Sequence, residues 1–142
     1  MSKIPTALRL LVRQRAGERC EYCCLSQVGQ EATFHIDHII PIVAGGETQE
    51  DNLALACVSC SLYKSARQML EDPETGETVA IFNPRLQVWA EHFEWKGVTV
   101  EGLSAIGRAT IKALRMNRAL ILAIRGEEEL LGRHPPPEKK NC

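Results

Sequence analysis

Several things are missing from this chain, and each removes a class of explanation. No apolar run approaches the ~20 residues that a membrane-spanning helix needs. The first residues show no apolar core of the kind that opens a secretory signal. Neither sign of charge is in excess: 17 Lys and Arg against 18 Asp and Glu give a formal net charge of −1. A chain so balanced is no wholesale polyanion binder, and any nucleic-acid contact has to come from a local basic patch. No internal repeat is present. What remains is 142 residues with 44% apolar and 25% charged side chains, the composition of an ordinary globular protein. That length suits one domain burying about two thirds of its unfolded surface.

Cysteine is what the chain does have, with six residues. Without a secretory signal, a reducing cytoplasm is the expected location, and there paired cysteines act as metal ligands rather than disulfides. Four of them fall in two Cys-x-x-Cys pairs, Cys20 with Cys23 and Cys57 with Cys60. Such a turn places two thiolates on one metal, and two turns complete the tetrahedron that a structural zinc prefers. The 33 residues between the pairs, 24–56, exceed the gap of a simple zinc ribbon and must form a folded insert. Cys24 keeps the first pair ambiguous, since it can replace Cys23 with one more residue of spacing. Cys142, at the end of the tail, is expected to be a bystander.

The insert carries His35-Ile36-Asp37-His38-Ile39-Ile40-Pro41. Residues 33–40 are β-branched and aromatic enough for a strand ending at Pro41; Gly45-Gly46 marks a turn and residues 53–56 a second strand. A helix is expected over 58–71, closed by Asp72-Pro73. Before the insert, Pro5 opens a helix over 6–16 that Gly17 stops. After it come a turn at 74–77 and short strands near 79–82 and 95–100. Ser104 then caps a long helix to about Arg125, with Gly126 as its stop. Ile106, Thr110, Ala113, Leu114, Ile121 and Ile124 supply its apolar face, and Arg108, Lys112, Arg115 and Arg118 a basic one. Trp89, Phe93 and Trp95 are expected in the core. His92 and His134 have no partner visible in the sequence, and the tail over 134–142 is expected to be disordered.

Asp37 and His38 put two chemistries on adjacent residues. A carboxylate is a hard oxygen ligand for Mg²⁺ or Mn²⁺, and a neutral imidazole takes a proton from water near neutral pH. Phosphodiester hydrolysis uses both, a base to make the nucleophile and a cation to stabilise charge on the phosphate and the departing oxygen. Because successive strand side chains point to opposite faces, a bend or loop at the strand end is needed to bring the two to one site. The Asn52 amide can brace the loop that holds His38. Lys64 and Arg67, a turn apart on the expected helix, are candidates for contact with DNA phosphates.

Arg19-Cys20-Glu21-Tyr22-Cys23, Asp37-His38-Ile39-Ile40-Pro41, Gly45-Gly46, Asp51-Asn52-Leu53 and Cys57-Val58-Ser59-Cys60-Ser61-Leu62-Tyr63-Lys64 together resemble the HNH endonucleases of the ββα-metal superfamily. More narrowly they resemble the branch stabilised by a four-cysteine zinc site. The resemblance implies an α+β fold. It covers the zinc-stabilised ββα-metal nuclease core, expected over 16–72; the C-terminal strand–helix extension expected over 73–133 lies outside it. It further implies that His38 is the general base, Asp37 a ligand of the catalytic Mg²⁺ or Mn²⁺, and Asn52 a positioning residue. The reaction is then attack of water on a DNA phosphodiester, leaving 5′-phosphate and 3′-hydroxyl ends, with Cys20, Cys23, Cys57 and Cys60 on a structural zinc.

At Ser61 the chain departs from the family. That slot is usually histidine or asparagine and helps to hold the catalytic metal, for which a serine hydroxyl is a weak ligand. Ser61 can act through a water, or His35, on the same strand face as Asp37, can help instead. Two alternatives stand beside the enzyme: a zinc-stabilised DNA-binding module that has lost cleavage, and a zinc-supported protein-interaction domain. Retention of Asp37, His38 and Asn52 together favours the enzyme, since a scaffold needs only the cysteines and the apolar positions.

Overall fold

The structure, a computed structural model, describes residues 4–137 and 142. Helix α1, Thr6–Arg15, begins after Pro5 and ends at Ala16 and Gly17, where the chain turns left-handed. Its arginines fasten it to the insert: Arg13 donates to the Phe34 carbonyl at 3.0 Å and Arg15 to those of Glu50 and Leu53, both at 2.7 Å.

Strands β1, His35–His38, and β2, Leu53–Ala56, pair antiparallel, with His35 opposite Ala56 and His38 opposite Leu53. All four residues of β2 are buried, which explains the unbroken apolar run Leu53-Ala54-Leu55-Ala56. Helix α2, Val58–Lys64, follows at once and completes a ββα unit. It is half the expected length. Ser65 takes a positive φ of 50° and ends it. Residues that read as its last turns instead form β3, Met69–Glu71, which pairs with β4, Thr78–Ala80. The competing interaction is Asp72: its backbone N–H donates to the Glu77 carbonyl at 2.8 Å, and its carboxylate accepts from Glu74 N–H and the Thr75 hydroxyl. A loop so closed nucleates a hairpin where sequence periodicity allowed a helix.

The short helix α3, Trp89–His92, leads into β5, Phe93–Lys96, which turns at Gly97 and pairs with β6, Thr99–Gly102. The single strand expected near 95–100 is therefore a hairpin. The long helix expected from Ser104 is two helices, α4, Ala105–Ala113, and α5, Ala119–Leu130. Ser104 does cap α4, its hydroxyl accepting from Gly107 N–H at 3.0 Å. The break comes from Asn117, whose side chain accepts from Val100 N–H at 2.9 Å and donates to Val100 carbonyl at 2.8 Å, pairing with β6 as a strand would. Leu114 and Met116, both fully buried, also need the chain to leave helical register there. Gly126 lies inside α5 and stops nothing.

The extension packs on the ββα unit through its aromatics. Trp89 donates from its indole to the Tyr22 carbonyl at 2.8 Å and stacks on Phe93, with ring centroids 4.9 Å apart. Arg85 pairs with buried Glu21, whose other oxygen accepts from Leu55 N–H in β2. His134, placed at the start of the expected disordered tail, is buried edge-on against Trp95 and bonds the Gly97 carbonyl through Nε2 at 2.8 Å. His92 bonds the Ser104 hydroxyl at 2.7 Å. Cys142, expected to be a bystander, forms a disulfide with Cys24; residues 138–141 of the tail lie outside the described residues.

Arg108, assigned from sequence to the basic face, is spent inside the fold. It clamps fully buried Asp72 through two hydrogen bonds, 3.0 Å from Nε and 2.8 Å from Nη2, and holds that carboxyl well below the usual carboxylate range. A buried carboxylate without its partner is strongly destabilising, whereas an exposed pair contributes little. Arg108→Ala is therefore expected to lower the melting temperature by several degrees at pH 7, and Glu74→Ala, which removes only the exposed partner of Arg108, to leave it nearly unchanged. Differential scanning calorimetry distinguishes the two.

Candidate active site and metal centre

The sulfur atoms of Cys20, Cys23, Cys57 and Cys60 lie within 4.8 Å of one another, and all four residues are buried. Each Cys-x-x-Cys turn is shaped by a backbone bond to its first sulfur: Cys23 N–H donates to Cys20 Sγ and Cys60 N–H to Cys57 Sγ, both at 3.4 Å. Cys57 thereby caps α2, so one residue ends β2, starts the helix and faces the cluster. Cys23 is the member of the first pair in the cluster; Cys24 turns away at a positive φ of 68° into its disulfide.

The donor set fits a tetrahedral zinc. Bonds of about 2.3 Å place sulfurs about 3.8 Å apart on such a centre, and Cys23 Sγ lies 3.7 Å from Cys57 Sγ. The proton balance agrees. Hydrogen bonds from Cys20, Cys57 and Cys60 hold the Cys23 thiol well below its usual value, while the thiols of Cys57 and Cys60 are pushed up by the same neighbours. Four thiolates gathered in one buried space need a divalent cation to balance their charge. Arg125, only 3 % exposed, adds positive charge from α5. It lies over Trp95 at 4.9 Å and donates to the Val98 carbonyl, and its Nη2 has no hydrogen-bond partner among the described residues. Burial lowers the Arg125 pKa, and the charges of Cys23, Cys60 and Cys57 oppose that shift. A charged residue one turn after buried Ile121 was the available sequence signal for it.

Beside this centre, β1 and α2 assemble the acidic half of the candidate active site. His35 and Asp37, two apart on β1, share a face, and Ser61 on α2 lies against both. The Ser61 hydroxyl donates to Asp37 Oδ1 at 3.0 Å and sits 2.8 Å from His35 Nδ1. Burial pushes the Asp37 carboxyl above its ordinary value, against the Ser61 hydrogen bond and the charges of Lys64 and His35. A carboxylate so poorly compensated is suited to a cation. The buried Tyr22 hydroxyl, on which Asp37 exerts the largest charge effect, has no hydrogen-bond partner among the described residues.

His38, the last residue of β1, takes different partners. Its Nε2 is 2.8 Å from the Thr48 hydroxyl, and its carbonyl accepts from Lys64 Nζ at 3.1 Å. Thr48 was not singled out from sequence, where one hydroxyl in a polar turn carries no signal. Asn52 braces the loop between them as a piece of backbone would: it accepts from Ile40 N–H at 2.8 Å and donates to the Ile40 and Glu47 carbonyls. The Gly45-Gly46 pair follows from the same loop. Gly45 has a φ of 92°, and a Cβ on Gly46 would lie 1.8 Å from the Ile40 carbonyl oxygen.

Lys64 does not reach the surface. It is 2 % exposed and its ammonium donates to the His38 carbonyl, which leaves it out of reach of the DNA phosphate it was expected to contact. Arg67 is exposed and donates to the carbonyls of Tyr63 and Ala113, joining α2 to α4. There it meets Arg115 and Arg118, whose guanidinium carbons lie 4.9 Å and 5.8 Å from the centroid of the Tyr63 ring. Arg67, Lys112 and Arg115 line an open groove of about 600 Å³, which Glu71 also lines.

Residues 20–67 match the family model described as HNH endonuclease. No curated protein and no solved structure matches the chain. Among the described residues no helix is long and apolar enough to cross a membrane.

Purified protein is expected to hold one tightly bound zinc per chain by elemental analysis. Cys57→Ser should lose it together with the cooperative thermal transition, because metal binding and folding are coupled. Cys24→Ser should keep full zinc occupancy; loss of zinc from this variant would place Cys24 in the first ligand pair after all.

Proposed function

Because residues 20–67 match the family model described as HNH endonuclease, we propose that the protein is a metal-dependent endonuclease that hydrolyses DNA phosphodiester bonds. The observation that carries this reading is the division of labour at the end of β1. Asp37 is directed to Ser61 and α2, and His38 to Thr48 and the Asn52-braced loop. In-line displacement at phosphorus puts the attacking and leaving oxygens on opposite sides. A base and a cation ligand on adjacent, differently directed side chains suit those two ends.

His38 is the proposed general base. With Nε2 engaged by Thr48, Nδ1 is the nitrogen left for water. In the neutral ring that requires the proton on Nε2, donated to the Thr48 hydroxyl, which fixes both tautomer and orientation. Nδ1 takes a proton from water as its oxygen attacks phosphorus. The bond from phosphorus to the 3′ oxygen breaks, and that oxygen leaves as a hydroxyl after taking a proton from solvent. Asp37 would hold the divalent cation, Mg²⁺ or Mn²⁺, which supplies charge stabilisation at the phosphate and the leaving oxygen. Lys64 and Asn52 act on the backbone around His38 and are positioning residues. A structural zinc on Cys20, Cys23, Cys57 and Cys60 belongs to the same proposal; the cytoplasmic location expected from the sequence does not, because Cys24 and Cys142 form a disulfide.

DNA contact is assigned to Arg67, Lys112, Arg115 and Arg118 around Tyr63, next to the helix that carries Ser61. These residues concentrate positive charge on a protein whose net charge is only −1. The alternative of a zinc-stabilised DNA-binding module without cleavage is favoured by one feature, the serine at position 61.

Supercoiled plasmid incubated with Mg²⁺ or Mn²⁺ should be nicked or linearised, and EDTA should abolish this. His38→Ala should fold normally and cleave about 10²–10⁴-fold more slowly. Wild-type-like cleavage by that variant would move the base elsewhere, and an inert wild type at every metal concentration would give the lead to the non-catalytic module. In binding assays on short duplexes, Arg115→Ala and Arg118→Ala should each weaken affinity about equally across sequences. Each should also reduce the slope of log affinity against log salt by about 1. Unchanged slopes would place the DNA on another face.

A further inference from the structure

We infer that His35 is a direct ligand of the catalytic cation, forming with Asp37 and Ser61 a three-residue site of one nitrogen and two oxygens. The inference rests on the endonuclease reading for the cation's purpose, though not for its presence. Where the family resemblance leads one to expect a histidine or asparagine donor from the helix, this chain has Ser61. An imidazole is available two residues before Asp37, on the same face of β1.

The spacing of the three donor atoms carries the argument. Ser61 Oγ lies 2.8 Å from His35 Nδ1 and 3.0 Å from Asp37 Oδ1. Neighbouring donors on an octahedral cation with bonds of about 2.1 Å are about 3.0 Å apart. The Ser61 hydroxyl is thus set from each of its two neighbours at the separation of adjacent corners of such a shell, and His35 is exposed to solvent. Serine hydroxyls serve as Mg²⁺ ligands in phosphate-binding loops, so a weak oxygen beside a carboxylate and an imidazole still makes a usable set. The nitrogen ligand favours Mn²⁺ over Mg²⁺.

The hydrogen bonds also fix the resting tautomer. Because the Ser61 hydroxyl donates to Asp37, its oxygen must accept from His35, whose proton therefore sits on Nδ1. Ligation uses the Nδ1 lone pair, so this proton passes to solvent while Nε2 takes one up, with no net change in charge. Cation binding should consequently convert His35 from the Nδ1–H to the Nε2–H form, a signature independent of cleavage.

The test uses the zinc-loaded full chain. Free Mn²⁺ followed by electron paramagnetic resonance gives the affinity of wild type, His35→Ala and Ser61→Ala, and ¹⁵N chemical shifts report the His35 tautomer as Mg²⁺ is added. His35→Ala is expected to weaken Mn²⁺ binding at least about tenfold, with zinc content and circular dichroism unchanged, and Ser61→Ala to weaken it less. Wild-type affinity in His35→Ala overturns the inference, as does a His35 signal that stays in the Nδ1–H form at saturating Mg²⁺. The second measurement needs no variant and stands if His35→Ala fails to fold. Mn²⁺ binding that needs His35, in a protein that cuts no DNA, would support this site while removing the endonuclease reading. Efficient cleavage by a His35→Ala protein of unchanged Mn²⁺ affinity would do the reverse.

Discussion

The convergence of the sulfurs of Cys20, Cys23, Cys57 and Cys60 in a space under 5 Å across is the constraint on which the rest of the structure depends. It ties the start of the insert to its end, so that β1 and β2 pair across residues that would otherwise be joined only by loops. It also sets where α2 begins, because Cys57 caps the helix and Cys60 lies in its first turn. Ser61 follows Cys60 directly, and Lys64 comes one turn after Cys60. The direction in which a hydroxyl meets Asp37 and an ammonium meets the His38 carbonyl is therefore inherited from the metal centre. A site that takes no part in proton transfer thus determines the geometry of one proposed to do so.

The C-terminal extension completes this arrangement rather than decorating it. Arg125 brings a buried guanidinium from α5 within electrostatic reach of Cys23, Cys57 and Cys60, where it would offset the negative charge that four thiolates leave on a divalent ion. Arg85 covers Glu21, whose carboxylate supports β2, and Trp89 covers Tyr22 between two of the ligand cysteines. The α4–α5 break has a functional side as well. Arg115 and Arg118 lie in it, and leaving the helix turns both toward the Tyr63 ring at the end of α2. A continuous helix would have kept them in a stripe with Arg108, which the fold instead uses to neutralise Asp72.

Local pattern and spacing were enough for much of the core. The two cysteine pairs pointed to one metal centre because Cys-x-x-Cys is a local geometry, and β1 followed from the β-branched and aromatic run that ends at Pro41. Asn52 was readable as a loop brace because a base such as His38 must be oriented as well as basic. Errors cluster where a side chain from a distant segment competes with a local preference. Asp72 closes a hairpin and so shortens α2, and Asn117 pairs with β6 and so divides the helix after Ser104.

What the amino-acid sequence by itself determined is the inventory: a four-cysteine metal set, a carboxylate beside an imidazole, and an α+β arrangement to present them. Only the tertiary structure decided which groups meet. Ser61 lies between His35 and Asp37, Thr48 holds His38, Lys64 is withdrawn from the surface, and Cys23 rather than Cys24 faces the cluster. The physical reason is that periodicity records how a residue relates to its near neighbours and to water. Partners 24 or 26 residues apart are set by packing. A polar atom in the interior then takes whichever complementary group the packed core brings within about 3 Å.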